Sequence, residues 1–206
     1  MRVFIEVVIQ HMSFNRLFFF CALWLAACSP SAPAFKATDI SGVEWGSGDF
    51  ELTAHTGQRV KVSGFQGKVV VMFFGFTNCP DVCPLTMAKL AVLMQRLGDD
   101  AKRVQVLFVT VDPKNDTIKQ LAGFVPKFHP SFIGLTGTDK EIAAVADEYK
   151  VAYGKNPQSR PGQILVDHST GILVKDGKGK PRLLVKNSVT VEDLEHDVRV
   201  LLKEKN

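Results

Sequence analysis

Two apolar runs, each the length of a strand and separated by a helical pattern, constrain this chain more than any other feature in it. Lys68-Val-Val-Val-Met-Phe-Phe-Gly-Phe76 and Val104-Gln-Val-Leu-Phe-Val-Thr-Val111 show little polar alternation, as expected of strands buried on both faces. Between them Leu90, Leu93, Met94 and Leu97 recur at helical spacing within Leu85 to Leu97. A strand–helix–strand unit of this kind demands a sheet covered by helices on both sides. Asp112-Pro113 stops the second run.

The rest of the body fits the same plan. Thr117 to Phe124, Asp139 to Tyr149 and Val191 to Leu202 read as helices, the last amphipathic. Gln163 to Asp167 and Ile172 to Lys175 read as strands, and Phe50 to Val62, turning at His55-Thr-Gly57, as a leading hairpin. The expected fold is α/β: a mixed central sheet flanked by helices, with an N-terminal hairpin. The chain has 206 residues, 46% hydrophobic and 22% charged, enough for one self-sufficient core plus an appendage. No internal repeat is visible. The net charge of +4 is diffuse, with no basic cluster beyond Lys178, Lys180 and Arg182, so nucleic-acid binding is not expected.

The appendage is N-terminal. From Arg16 the chain reads Arg-Leu-Phe-Phe-Phe-Cys-Ala-Leu-Trp-Leu-Ala-Ala-Cys-Ser-Pro, a basic residue followed by a short apolar run and small residues, the design of a secretory signal. The run falls short of the roughly 20 apolar residues of a bilayer-spanning helix. Leu25-Ala-Ala-Cys28 resembles a bacterial lipobox, in which the cysteine is acylated and becomes the mature N-terminus. The alternatives are an ordinary cleaved signal and an uncleaved short anchor. Met12-Ser-Phe-Asn-Arg16 is the more natural signal start, which points to Met12 as the initiator. The expected division is residues 1–28 as signal, 29–48 as a flexible tether rich in Ser, Pro and Ala at its start, and 49–206 as the domain. An extracytoplasmic, membrane-anchored lipoprotein follows.

Of four cysteines, Cys21 and Cys28 belong to the leader; Cys79 and Cys83 form a CxxxC in Gly75-Phe-Thr-Asn-Cys-Pro-Asp-Val-Cys-Pro-Leu-Thr86. So few argue against a disulfide scaffold. The motif lies where a buried strand hands over to a helix, the edge at which open α/β sheets place their sites. With Asp81 as N-cap, Cys83 falls in the first helical turn, where the positive end of the helix is expected to favour its thiolate. Two neighbouring thiolates suit a disulfide, a redox couple or a soft metal such as Cu(I). A merely structural disulfide would close a very short loop and gain little.

Two sulfurs alone leave a metal under-coordinated. Of the five histidines, His11 is in the leader, and His55, His129 and His196 read as ordinary hairpin, loop and helix residues. His168, in Val166-Asp-His-Ser-Thr-Gly171, follows a strand and by itself reads as a turn histidine. Asp112 and Asp167 end strands and could orient an imidazole from behind, although aspartates there more often stabilise turns. Met72, Met87 and Met94 read as core.

Taken together, Gly-Phe-Thr-Asn-Cys79-Pro-Asp-Val-Cys83-Pro, Val-Thr-Val-Asp112-Pro-Lys-Asn-Asp116-Thr, Gly134-Leu-Thr-Gly137 and Leu165-Val-Asp-His168-Ser resemble the Sco/SenC family, in order and across nearly the whole body. The resemblance implies a thioredoxin-like fold and one copper ion, Cu(I) or Cu(II), held by Cys79, Cys83 and His168. It further implies delivery of that copper to the CuA site of cytochrome c oxidase subunit II or another copper-accepting protein, or reduction of that site's cysteines, with a thiol reductant upstream. Asn78, often histidine in the family, and the short connection Tyr153 to Pro161 depart from the pattern. The expectation is thus a metallochaperone and not an enzyme. The alternatives are an extracytoplasmic thiol–disulfide oxidoreductase, a thiol peroxidase, for which the Thr77-Asn-Cys79 setting is a poor match, and a copper sensor or scavenger.

Overall fold

The structure, a computed structural model, describes residues 35–155, 166–168 and 171–204, with residues 154–155 and 166–168 described by backbone alone. The leader, Cys28 and most of Gln163 to Asp167 lie outside the described residues.

Among the described residues ten strands and four α-helices follow in chain order: β1 Thr38–Asp39, β2 Glu51–Ala54, β3 Arg59–Lys61, β4 Val69–Gly75, α1 Val82–Leu97, β5 Val104–Thr110, α2 Ile118–Phe124, β6 Ile133–Thr136, α3 Asp139–Glu148, β7 Tyr153–Lys155, β8 Val166–His168, β9 Ile172–Lys175, β10 Pro181–Val185 and α4 Val191–Lys203. Eight strands form one mixed sheet in the order β1-β10-β9-β4-β5-β6-β2-β3. The pairs β4–β5 and β5–β6 are parallel, as short crossovers through α1 and α2 require; β9 lies antiparallel against the other edge of β4. β2 pairs antiparallel with both β6 and β3, closing one side of the sheet.

The two long apolar runs form the centre because both faces of the sheet are covered. Along β4, Val69, Val71 and Phe73 belong to one hydrophobic cluster with α1 and α4, while Val70, Met72 and Phe74 belong to a second with α3. The period of two deals alternate side chains to opposite cores, and all seven residues of β4 and of β5 are buried. Met72, Met87 and Met94 are core residues. Threonines cap three helices: Thr117, Thr138 and Thr190 accept from the amides of Gln120, Glu141 and Asp193, and Thr138 with Glu141 completes a capping box.

Within the stretch read as tether, Thr38–Asp39 forms β1 against β10, and Ala37 is buried. The carboxylate of Asp197, itself fully buried on α4, accepts from the amides of Lys36 and Ala37. The strand expected at Gln163 to Asp167 is described only at Val166–His168, and it does not enter the main sheet. It pairs with β7 as a separate two-stranded sheet, because both edges of β9 are already taken by β4 and β10. The hairpin that completes the sheet is β9–β10 instead.

Candidate metal centre

The cysteine motif follows β4 directly. Cys79 lies in the turn after Phe76, its amide donating to the Phe76 carbonyl at 3.2 Å. Asp81 occupies the N-cap position of α1 as expected, yet its side chain makes no capping hydrogen bond. Cys83, in the first turn, is 0% exposed while Cys79 is half-buried, and neither is in a disulfide.

The two thiols lie within hydrogen-bonding reach of each other. Burial pushes the Cys83 thiol well up; the main-chain amide of Phe76 pulls the other way, and the nearby Cys79 and Asp116 add to the rise. The expectation of a helix-stabilised thiolate is therefore corrected for the metal-free chain. The helix field is a surface-scale effect of under about 2 kcal/mol, and burial without a cation outweighs it. An arriving soft cation would displace the proton and supply the missing positive charge.

Gly75 makes the close packing of Cys83 possible. A Cβ at that position would lie 2.9 Å from Cys83 Sγ and 3.0 Å from the Phe108 ring, so any side chain there displaces the sulfur. Asp116 makes the loop rigid. This fully buried carboxylate accepts from the Thr77 amide at 3.0 Å, the Thr77 hydroxyl at 2.5 Å and the Thr110 hydroxyl at 2.6 Å, tying the residue two before Cys79 to the end of β5. Burial raises its pKa against the pull of those three bonds, with Asp112 adding to the rise. Asp116→Ala should strand all three donors at a cost of about 2–4 kcal/mol in denaturant unfolding. Asp116→Asn should cost less, since its amide can donate to either hydroxyl.

Asp112 makes the local bonds of a turn-stabilising aspartate. Its carboxylate accepts from the Asn115 side chain at 2.8 Å and its amide donates to the Thr110 hydroxyl, so it builds the turn that delivers Asp116. Asp116 stood in the sequence as the second aspartate of Asp-Pro-Lys-Asn-Asp-Thr, with nothing local to separate its role from that of Asp112.

His168 ends β8, in register with Tyr153 of β7; the side chains of Asp167 and His168 lie outside the described residues. Tyr153 and Cys79 both pack against the same apolar cluster. The other described histidines have local partners: His55 Nδ1 accepts from the Gly134 amide, His129 meets Ser131, and His196 meets Asp197. Among the described residues no three of His, Cys, Asp or Glu converge on a metal-sized site. The described donors are two adjacent thiols, which suit a soft ion and not a hard one.

Known proteins resemble this chain in sequence and fold. The sequence model of the SCO1/SenC family matches residues 39–203. "Protein SCO2 homolog, mitochondrial" of Mus musculus is 39% identical over 136 residues, 65% of this chain and 53% of that protein, so the chain spans about half the length of the curated relatives it matches first. The copper-bound structure of Bradyrhizobium japonicum ScoI superposes with a TM-score of 0.69 at 33% identity, covering 75% of this chain and 98% of that one. A SCO1/SenC family lipoprotein of Bacillus anthracis gives a TM-score of 0.69 at 26% identity, covering 82% and 100%. The mixed sheet flanked by helices is thus of the thioredoxin-like kind found in these proteins, and the chain belongs to the SCO1/SenC family.

Proposed function

We propose that this protein is a copper metallochaperone, carrying one copper ion as cargo on Cys79, Cys83 and His168 and passing it to the CuA site of cytochrome c oxidase or another copper-accepting protein. The observation that carries the reading is the pair of adjacent thiols at the start of α1, in a chain similar over three quarters of its length to a copper-bound relative. Thiolate sulfurs and an imidazole match Cu(I), and the half-buried Cys79 is the donor through which cargo can be reached and exchanged. His168 ends β8, in a two-stranded sheet separate from the one that carries β4 and the cysteine motif. The fully reduced full-length chain, prepared anaerobically, is expected to bind one Cu(I) per molecule. A stoichiometry of zero would overturn the reading.

The proximity of the two free cysteines also favours a second reading, a thiol–disulfide oxidoreductase. In it Cys79 and Cys83 give up two protons and two electrons to a partner's disulfide and form their own S–S bond. An upstream thiol reductant would then restore them.

For location, we propose acylation at Cys28 and an extracytoplasmic position. The Leu-Ala-Ala-Cys motif supports it, as does the description of the Bacillus anthracis relative as a lipoprotein, whereas the first curated relatives are described as mitochondrial. No helix among the described residues is long and apolar enough to cross a membrane. Mass spectrometry of the protein made in a bacterial host should show a diacylglyceryl-modified Cys28 at the mature N-terminus; an unmodified terminus there would refute the anchor.

A further inference from the structure

Lys175 is buried where a strand would be better served by leucine. The residue is 2% exposed, within β9 and flanked by β4 and β10. Its Nζ donates to the Tyr149 hydroxyl at 2.9 Å and lies 5.3 Å from the Tyr149 ring centroid. An ammonium has three donors, and this one bond uses a single donor. Asp49, Glu148 and Asp176 act on Lys175 through space, and each also accepts hydrogen bonds from other groups. Asp49 accepts from the Ser63 amide and hydroxyl at 3.0 and 2.7 Å. Glu148 accepts from the Gly48 amide at 2.8 Å. Asp176 accepts from the amides of Lys178 and Lys180 and from Arg182.

Beside Lys175 opens a cavity of about 230 Å³, lined also by Lys178 and Lys180 from the β9–β10 turn and by Ser47 and Gln66 opposite. It lies far from the cysteines. Lys175 pairs with Val70, near the start of β4, whereas the cysteine motif follows Gly75, about 17 Å further along the strand. The carboxylates in the wall are spent on internal partners while ammonium donors are not, which selects against a cation. Burying a charge with only a neutral side chain in direct contact is costly, and an anion would supply a charged partner.

We infer that this cavity binds a small oxyanion, a phosphate or carboxylate group, with Lys175 at its floor and Lys178 and Lys180 at its rim. The ligand class is independent of copper, since the site shares no residue with the cysteine motif.

The test uses the full chain in detergent, with inorganic phosphate and, separately, acetate titrated at constant ionic strength while the side-chain resonances of Lys175 and the amides of Gly48 and Gly179 are followed by NMR. The expected result is a saturating shift with at least one of the two anions; which one saturates tells phosphate from carboxylate. Lys175→Met should weaken it about tenfold or more, the loss of a hydrogen bond to a charged group. Lys178→Ala with Lys180→Ala, both on an exposed turn, should weaken it several-fold while one copper per chain is still bound, and they stand in if Lys175→Met fails to fold. Linear drift with both anions, or saturation unchanged in the rim variant and in any folded Lys175→Met protein, would overturn the proposal.

Discussion

Cu(I) is lost essentially completely when Cys79 and Cys83 are oxidised to a disulfide, and returns on reduction. The thiolate is the ligand form of cysteine, and a disulfide sulfur is a far poorer donor. The two side chains are near enough to act on each other, and both are free cysteines that can form the bridge. The same expectation holds for Cys83→Ser, which is the cleaner variant: serine keeps a small polar atom against Gly75 and the Phe76 amide, so stability should change by about 1 kcal/mol while the soft donor disappears. Copper titration monitored by competition with a chromogenic Cu(I) chelator separates the cases. Copper retained at full stoichiometry by the oxidised chain would place the ligands elsewhere.

His168→Ala comes next in size. Loss of outer partners of metal ligands alone costs about 10–100-fold in affinity, and loss of a donor should cost at least that much. Two sulfurs still hold Cu(I) in a linear fashion, so residual binding is expected, whereas Cu(II), which prefers nitrogen and oxygen donors, should be lost more completely. X-ray absorption of the Cu(I) form should change from two sulfurs and one nitrogen to two sulfurs. The rate at which Cys79 and Cys83 form their disulfide should change far less, since no imidazole enters that bond. An unchanged spectrum would remove His168 from the site and leave the oxidoreductase as the better reading.

What the sequence disclosed depended on how local each signal was. The β4 and β5 runs were legible because burial on both faces leaves an apolar run with no competing period. The cysteine motif was legible because its position between strand and helix is a local property. β6 was not read as a strand: Ile133-Gly-Leu-Thr136 is short and contains a glycine whose absent side chain lets Val125 and Leu121 pack onto it. β10 was hidden by a proline and an arginine, and the arginine is accommodated by Asp176 and Glu204 from other elements. Nothing in the sequence marks Lys175 as buried, because the Tyr149 that receives it comes from the end of α3. The role of Asp116 needed the fold itself, since Thr77 and Thr110 meet it only once β4 and β5 lie side by side. The place of His168 depends on the pairing of β7 with β8, across residues that carry no periodic signal.

The pairing of β4 also bears on the order in which the chain can assemble as it is made. Its parallel neighbour β5 is available once α1 has been synthesised, but its other edge is covered only by β9, where Phe73 meets Ile172 and Val70 meets Lys175. The helix that covers the α1 side, α4, is later still, with Lys89 of α1 donating to the Asn187 and Val189 carbonyls just before it. Closing such distant contacts costs chain entropy before any contact repays it. Until the C-terminal third emerges, β4 therefore keeps an open edge and an incompletely covered face. That is the interval in which a nascent chain is most exposed to aggregation.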